Sequence, residues 1–119
     1  MQPTQFILNS RVVDSGTADN ATATATVAAG PGERAYLSGF IAAFSATVAT
    51  VKNVTITYTP EGTSTSVSIV IPCTFTDQLA IVPLPGLVHA DYAGDITVAL
   101  AASGSGGVTG RVYAFYALG

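Results

Sequence analysis

The sequence predicts an all-β domain, a two-sheet antiparallel sandwich of jelly-roll type, from three observations. Apolar and polar residues alternate with period two in one segment after another, Gly and Pro punctuate those segments at short intervals, and no stretch carries a capped helical period. The alternation is cleanest between Lys52 and Ile71. Val54, Ile56 and Tyr58 alternate with threonines, and after Pro60-Glu61-Gly62 the chain resumes with Val67, Ile69 and Ile71 alternating with Ser66 and Ser68. Strands with one buried and one polar face produce this pattern.

Taken in order, residues 1–20 form an N-terminal arm or first strand, and residues 21–119 the sandwich domain. Phe6, Leu8 and Val12 supply a first strand if the segment packs on its own domain, or an assembly arm if it lies over a neighbour. Ala21 to Ala28 puts threonines on one face and alanines on the other, and an alanine face needs something to approach it closely. Gly30-Pro31-Gly32-Glu33 is a turn. In the strand from Arg34 to Ser45, Tyr36, Phe40 and Phe44 share one parity, and Leu37, Gly39 and Ile41 the other. Such a strand is covered on both sides or bends, with Gly39 permitting the bend.

Around Pro60 the spacing sets a register. A tight loop would place Ile56 opposite Ser66 and mix the faces, whereas Ile56 opposite Val67 and Val54 opposite Ile69 keeps them matched with a four-residue loop or a bulge. Pro60 suits the second position of a type I turn and Gly62 the fourth. Pro72 closes the Val67 strand, Phe75 anchors a short one, and Leu79 to Val82 forms another, with Pro83 and Pro85 suiting an edge. Leu84 to Asp95 reads as irregular, Asp95 to Ala101 as a strand, Gly104 to Gly107 as a flexible tip, and Val108 to Leu118 as the final strand. Counted from Ala21 this makes eight strands, the number in a jelly roll.

Composition narrows the function. The 119 residues make one domain, and only 9% are charged against about 25% in typical domains, with a net charge of −3. Four scattered cations, Arg11, Arg34, Lys52 and Arg111, build no phosphate-tracking stripe, so no nucleic acid is expected as partner. Ala35 to Val51 is an uncharged run of 17 residues, but Ser38, Gly39, Ser45, Thr47 and Thr50 mark it as strand, turn and strand rather than a membrane span. The N-terminus lacks the charged start and apolar run of a signal peptide. The single cysteine, Cys73, excludes an internal disulfide and reads as a buried structural thiol.

No catalytic motif emerges, and neither an enzyme nor a cofactor is expected. His89, Asp91 and Asp95 lie close together, but zinc needs three or four ligands and there is no other histidine. Asp91, Asp95 and loop carbonyls could in principle hold Ca²⁺, and the favoured reading is a solvated loop without metal. There is no G-x-S-x-G elbow, no local carboxylate pair, and no helix after the Gly104–Gly107 tip. Sugar-binding platforms usually use Trp, which is absent, leaving Tyr92 and the terminal tyrosines as substitutes.

What remains is the surface. About half the residues are apolar and few are charged, which predicts a subunit of an assembly. Tyr113 and Phe115 on the last strand, Tyr36, and Phe6 and Leu8 of the arm are the candidate interface residues. On the last strand Tyr113 and Phe115 fall on one parity and Tyr116 on the other, with Tyr113 and Phe115 expected to point outward.

The segments G-P-G-E-R-A-Y-L-S-G-F, V-T-I-T-Y-T, I-T-V-A-L-A-A-S-G-S-G-G and R-V-Y-A-F-Y-A-L, together with the Ala/Thr/Gly/Val-rich layout, resemble the small jelly-roll cement, or head decoration, proteins of tailed bacteriophages. The resemblance implies a homo-oligomer, dimer or trimer, made in the host cytoplasm and bound to the capsid exterior of the virion. Its implied partner is the major capsid protein, whose neighbouring subunits it would clamp without catalysis. The alternative is a virion receptor-binding or fibre-tip domain, or another carbohydrate-binding sandwich.

Overall fold

The structure, a computed structural model, describes residues 11–119. Among the described residues there are nine strands: β1 (Arg11–Asp14), β2 (Ala18–Asp19), β3 (Ala23–Val27), β4 (Ala35–Phe44), β5 (Val48–Tyr58), β6 (Val67–Phe75), β7 (Leu79–His89), β8 (Ile96–Leu100) and β9 (Thr109–Leu118). One sheet has the order β1-β9-β4-β7, with the two-residue β2 also pairing β9, and the other the order β3-β8-β5-β6. All pairings are antiparallel. Leaving out β2, the first strand pairs the last, the second the second-last, and so inward to the β5–β6 hairpin. This nesting is the jelly roll. The eight principal strands begin at Arg11 rather than at Ala21, because the Arg11–Asp14 segment completes the edge beside β9.

The core confirms the period-two reading. Val54, Ile56, Ile96, Val98 and Leu100 of one sheet meet Leu37, Phe40, Val88, Val112 and Ala114 of the other, all fully buried. Phe44 and Phe75 meet edge to face with centroids 4.7 Å apart. The alanine face of β3 (Ala23, Ala25) is buried together with Val27, and β9 lies against it across the core.

Three local expectations need correction. The β5–β6 faces match as expected, but Ile56 lies opposite Ile69, Val54 opposite Ile71 and Tyr58 opposite Val67, two residues from the expected register. The longer loop accounts for it: the N–H of Thr63 donates to the Pro60 carbonyl at 3.2 Å, and Gly62 has φ +78°. Pro60 is therefore the first residue of the turn and Gly62 the third, the position that needs a positive φ in a type II turn. Second, Pro72 does not end β6, which continues to Phe75. Third, the stretch 84–95 is irregular only in its second half, since β7 runs through Pro83 and Pro85 to His89 and residues 91–95 form the turn. Both β6 and β7 are edge strands, where a missing N–H costs no ladder bond.

The bend expected at Gly39 is a β-bulge. Leu37 pairs Tyr116 and Gly39 pairs Phe115, leaving Ser38 as the extra residue on β4, and its hydroxyl donates to the Phe115 carbonyl at 2.9 Å. The inserted residue switches parity. Ala35 and Leu37 point into the core before it, and Phe40, Ala42 and Phe44 after it. That explains why the strand reads as apolar on both parities.

Candidate interaction surface

The two sheets turn chemically different faces outward. On the β3-β8-β5-β6 sheet, cross-strand pairing aligns Thr26, Thr97, Thr57 and Ser68 in one row. The Thr57 and Ser68 hydroxyls are 3.0 Å apart, and those of Thr59 and Ser66 3.2 Å. These hydroxyls satisfy one another across the β5–β6 pair.

The outer face of the β1-β9-β4-β7 sheet is apolar. Val112 and Ala114 are buried, so Tyr113 and Phe115 between them face away from the core and are half-buried. Register places Ile81, Ile41 and Tyr113 in one row, Leu79 and Ala43 in the next, and Pro83, Gly39, Phe115 and Val12 on the other side. Ile81 is 65% exposed, Val12 54% and Leu79 47%. Val51, Val67, Ile69 and Val70 of the other sheet are exposed as well, but here the exposed side chains lie in register rows with the rings of Tyr113 and Phe115, a continuous arrangement of the kind found at contact surfaces.

Among the described residues one ion pair borders the patch. Both Arg111 and Asp14 lie on this face, and the Arg111 guanidinium forks onto the Asp14 carboxylate while lying over the Tyr113 ring, 5.2 Å from its centroid. Hydrogen bonding from Arg111, followed by that from the Gly16 N–H, holds the Asp14 pKa down at about 2. The same hydrogen bond to Asp14 raises the Arg111 pKa against a smaller opposing effect of desolvation.

A second cluster occupies the end of the sandwich where β4 begins. The turn before it is closed by the Glu33 N–H bonding the Gly30 carbonyl at 3.1 Å, and Arg34 then pairs its backbone with Gly119. The Arg34 guanidinium meets Glu61 Oε1 at 2.6 Å and stacks 4.0 Å above the Tyr92 ring. His89 Nε2 lies 3.8 Å from Glu61 Oε2, and the His89 ring stacks on Tyr36 with centroids 5.9 Å apart. Desolvation opposes the charge on Arg34, but Glu61, Tyr92 and Tyr36 more than offset it and raise its pKa. Its Nε is shielded from solvent and has no hydrogen-bond partner among the described residues.

The predicted residues divide between these two regions. Tyr113 and Phe115 lie on the apolar face, and Tyr36 belongs to the end cluster. Phe6 and Leu8 lie outside the described residues. Tyr116 takes the inward parity and packs, partly buried, against the core. The structure does not gather His89, Asp91 and Asp95: Asp91 Oδ1 accepts the Tyr92 N–H at 2.8 Å and its carbonyl that of Gly94 at 3.0 Å, while Asp95 is exposed. No group of three or more His, Cys, Asp or Glu side chains that could hold a metal occurs among the described residues. Cys73 is buried, and desolvation raises its pKa. No known protein-family model matches the chain, and comparison with curated proteins finds no match either.

Sequence reasoning missed Ile81, Leu79 and Val12. The signal was present in L-A-I-V, where both parities of a strand carry apolar residues: Ala80 and Val82 pack on the core, leaving Leu79 and Ile81 outside.

Proposed function

We propose that this protein works by surface contact as a structural subunit of a virion, a cement or decoration protein that binds the outside of a phage head and bridges major capsid subunits. One observation carries the contact reading, the apolar outer face of the β1-β9-β4-β7 sheet. Its exposed Ile81, Leu79 and Val12 surround Tyr113 and Phe115, with one ion pair, Arg111–Asp14, at the margin among the described residues. Burying such a face gains the hydrophobic term without stripping water from many charges. The assignment to a phage head rests on the resemblance in layout and composition, and implies an oligomer, dimer or trimer, on the capsid. Cryo-EM of particles containing this chain tests it. Regularly placed copies on the head exterior at fixed stoichiometry, with this sheet toward the capsid or toward a sister copy, are expected. Copies confined to a tail fibre would overturn it.

A second reading, a receptor- or carbohydrate-binding module, is favoured by the end cluster. Tyr92 is 57% exposed beside Arg34 and Glu61, which offer an aromatic face next to hydrogen-bonding charges. Binding to cell-surface glycans that is lost on Tyr92→Ala, with no affinity for heads, would favour it.

A further inference from the structure

An edge strand exposes unpaired N–H and C=O groups and recruits other strands unless it is guarded. Three of the four sheet edges among the described residues carry a guard. β7 contains Pro83 and Pro85, β6 contains Pro72, and β1 carries the charged Arg11 and Asp14. β3 carries none. Residues 21–29 read A-T-A-T-A-T-V-A-A, without charge, proline or glycine. One side of β3 pairs β8, and no described strand lies along the other.

We propose that the open edge of β3 pairs antiparallel with the same edge of a second copy, joining two four-stranded sheets into one eight-stranded sheet across a two-fold axis. This inference does not rest on the capsid reading. Such a contact is self-complementary, as a two-fold requires. Centred on Ala25, it sets Thr24 against Thr26 of the second copy on the outer face and Ala23 against Val27 on the core face. Each face meets its own kind, and cross-strand threonine pairs are favourable. The hydroxyl row of Thr26, Thr97, Thr57 and Ser68 then runs on into the second copy. Although the chain has a net charge of −3, the segment that would meet its twin is uncharged, so like charges do not face each other along the seam.

The chain's own residues 1–10 fit this edge less well. Phe6-Ile7-Leu8 is a consecutive apolar run without alternation and would set an apolar residue on the threonine face. A seam of five residues is smaller than the roughly 800 Å² per partner of a standard interface, so the dimer forms at high concentration.

Sedimentation velocity and amide hydrogen exchange over a concentration series test the proposal. Dimerisation is expected, with protection rising in step with dimer at those Ala23–Val27 amides that face away from β8. Thr24→Lys combined with Thr26→Lys should weaken the dimer by at least about tenfold, since like charges then oppose each other twice across the axis. Thr24→Lys combined with Thr26→Glu sets opposite charges at those same pairs and should restore it. Both threonines are exposed in the single copy, so the melting temperature should hold. Tyr113→Ser with Phe115→Ser should leave this dimer intact, which separates the seam from the apolar face. The proposal is overturned by a chain that stays monomeric throughout, by equal dimerisation of both charge variants, or by the β3 amides that face away from β8 being already protected in the dilute monomer.

Discussion

Alanine at Gly39 should destabilise the protein far more than one added methyl suggests. A Cβ there would stand 2.7 Å from the Val82 carbonyl oxygen and 3.2 Å from Pro83 Cα, both backbone atoms of the neighbouring strand, at a φ of +156°. Neither atom can turn aside as a side-chain tip would. Relief requires β4 and β7 to separate by several tenths of an ångström at the bulge that sends Leu37 and Phe40 into the same core. Overpacking of this kind costs about 1–3 kcal/mol, and the unfavourable φ adds of order 1 kcal/mol or more. A sum of about 2–4 kcal/mol is a large part of a small domain's stability and should lower the melting temperature by about 8–16 °C. Two controls isolate the clash. Gly62→Ala, at φ +78° with nothing within 4 Å, bears the backbone strain alone, and Gly106→Ala meets open space. Thermal and urea melts should rank Gly39→Ala well below Gly62→Ala, with Gly106→Ala near wild type. Equal stability of Gly39→Ala and Gly62→Ala would refute the reasoning.

The remaining predictions concern the core, acid sensitivity and the thiol. Phe75→Ala removes a fully buried ring that packs edge to face on Phe44, and should cost about 3–5 kcal/mol in urea unfolding. Asp14 has a depressed pKa in the folded state, so its contribution to stability is complete above its unfolded value and is lost as pH falls through about 2. The stability difference between wild type and Asp14→Asn should therefore be constant near neutrality and shrink from about pH 4 downward; a difference that stays unchanged to pH 2 contradicts the pairing with Arg111. Cys73 is buried with a raised pKa, so a thiol reagent at neutral pH should label it only as fast as the protein opens, and prompt labelling of the native protein would contradict this.

The fold class was legible because alternation over β-branched residues reports directly which strands have one buried face. Its details were legible only where local chemistry decides them. Face matching in the β5–β6 hairpin followed from parity, but its register was set by the longer loop, where Pro60 opens the turn instead of occupying its second position. Pro83 and Pro85 pointed correctly to an edge strand, whereas Pro72, read as a strand end, misled for a related reason. A proline ends a central strand but not an edge strand, and whether β6 and β7 are edges is a property of the whole sheet. The bulge at Ser38 left a visible trace, apolar residues on both parities around a glycine, but its partner strands did not show in the local sequence. On the outer surface, Tyr113 and Phe115 were legible from the crowding of aromatics on β9. Ile81, Leu79 and Val12 were not, since an exposed isoleucine and a core isoleucine read alike until neighbouring strands are placed. The end cluster joins Arg34, Glu61 and the His89–Tyr92 stretch from three separated segments, and no spacing in the chain brings the three together.

The most direct test of a contact function carried by the apolar face compares two double variants in binding to phage heads stripped of decoration. Ile81→Ser with Tyr113→Ser alters the outer face of the β1-β9-β4-β7 sheet, while Glu61→Gln with Tyr92→Ala alters the end cluster and leaves that face intact. With both confirmed folded by thermal melt, cosedimentation should show binding lost in the first and kept in the second. Retention by the face variant together with loss in the cluster variant would contradict the account and move the function to the end of the sandwich.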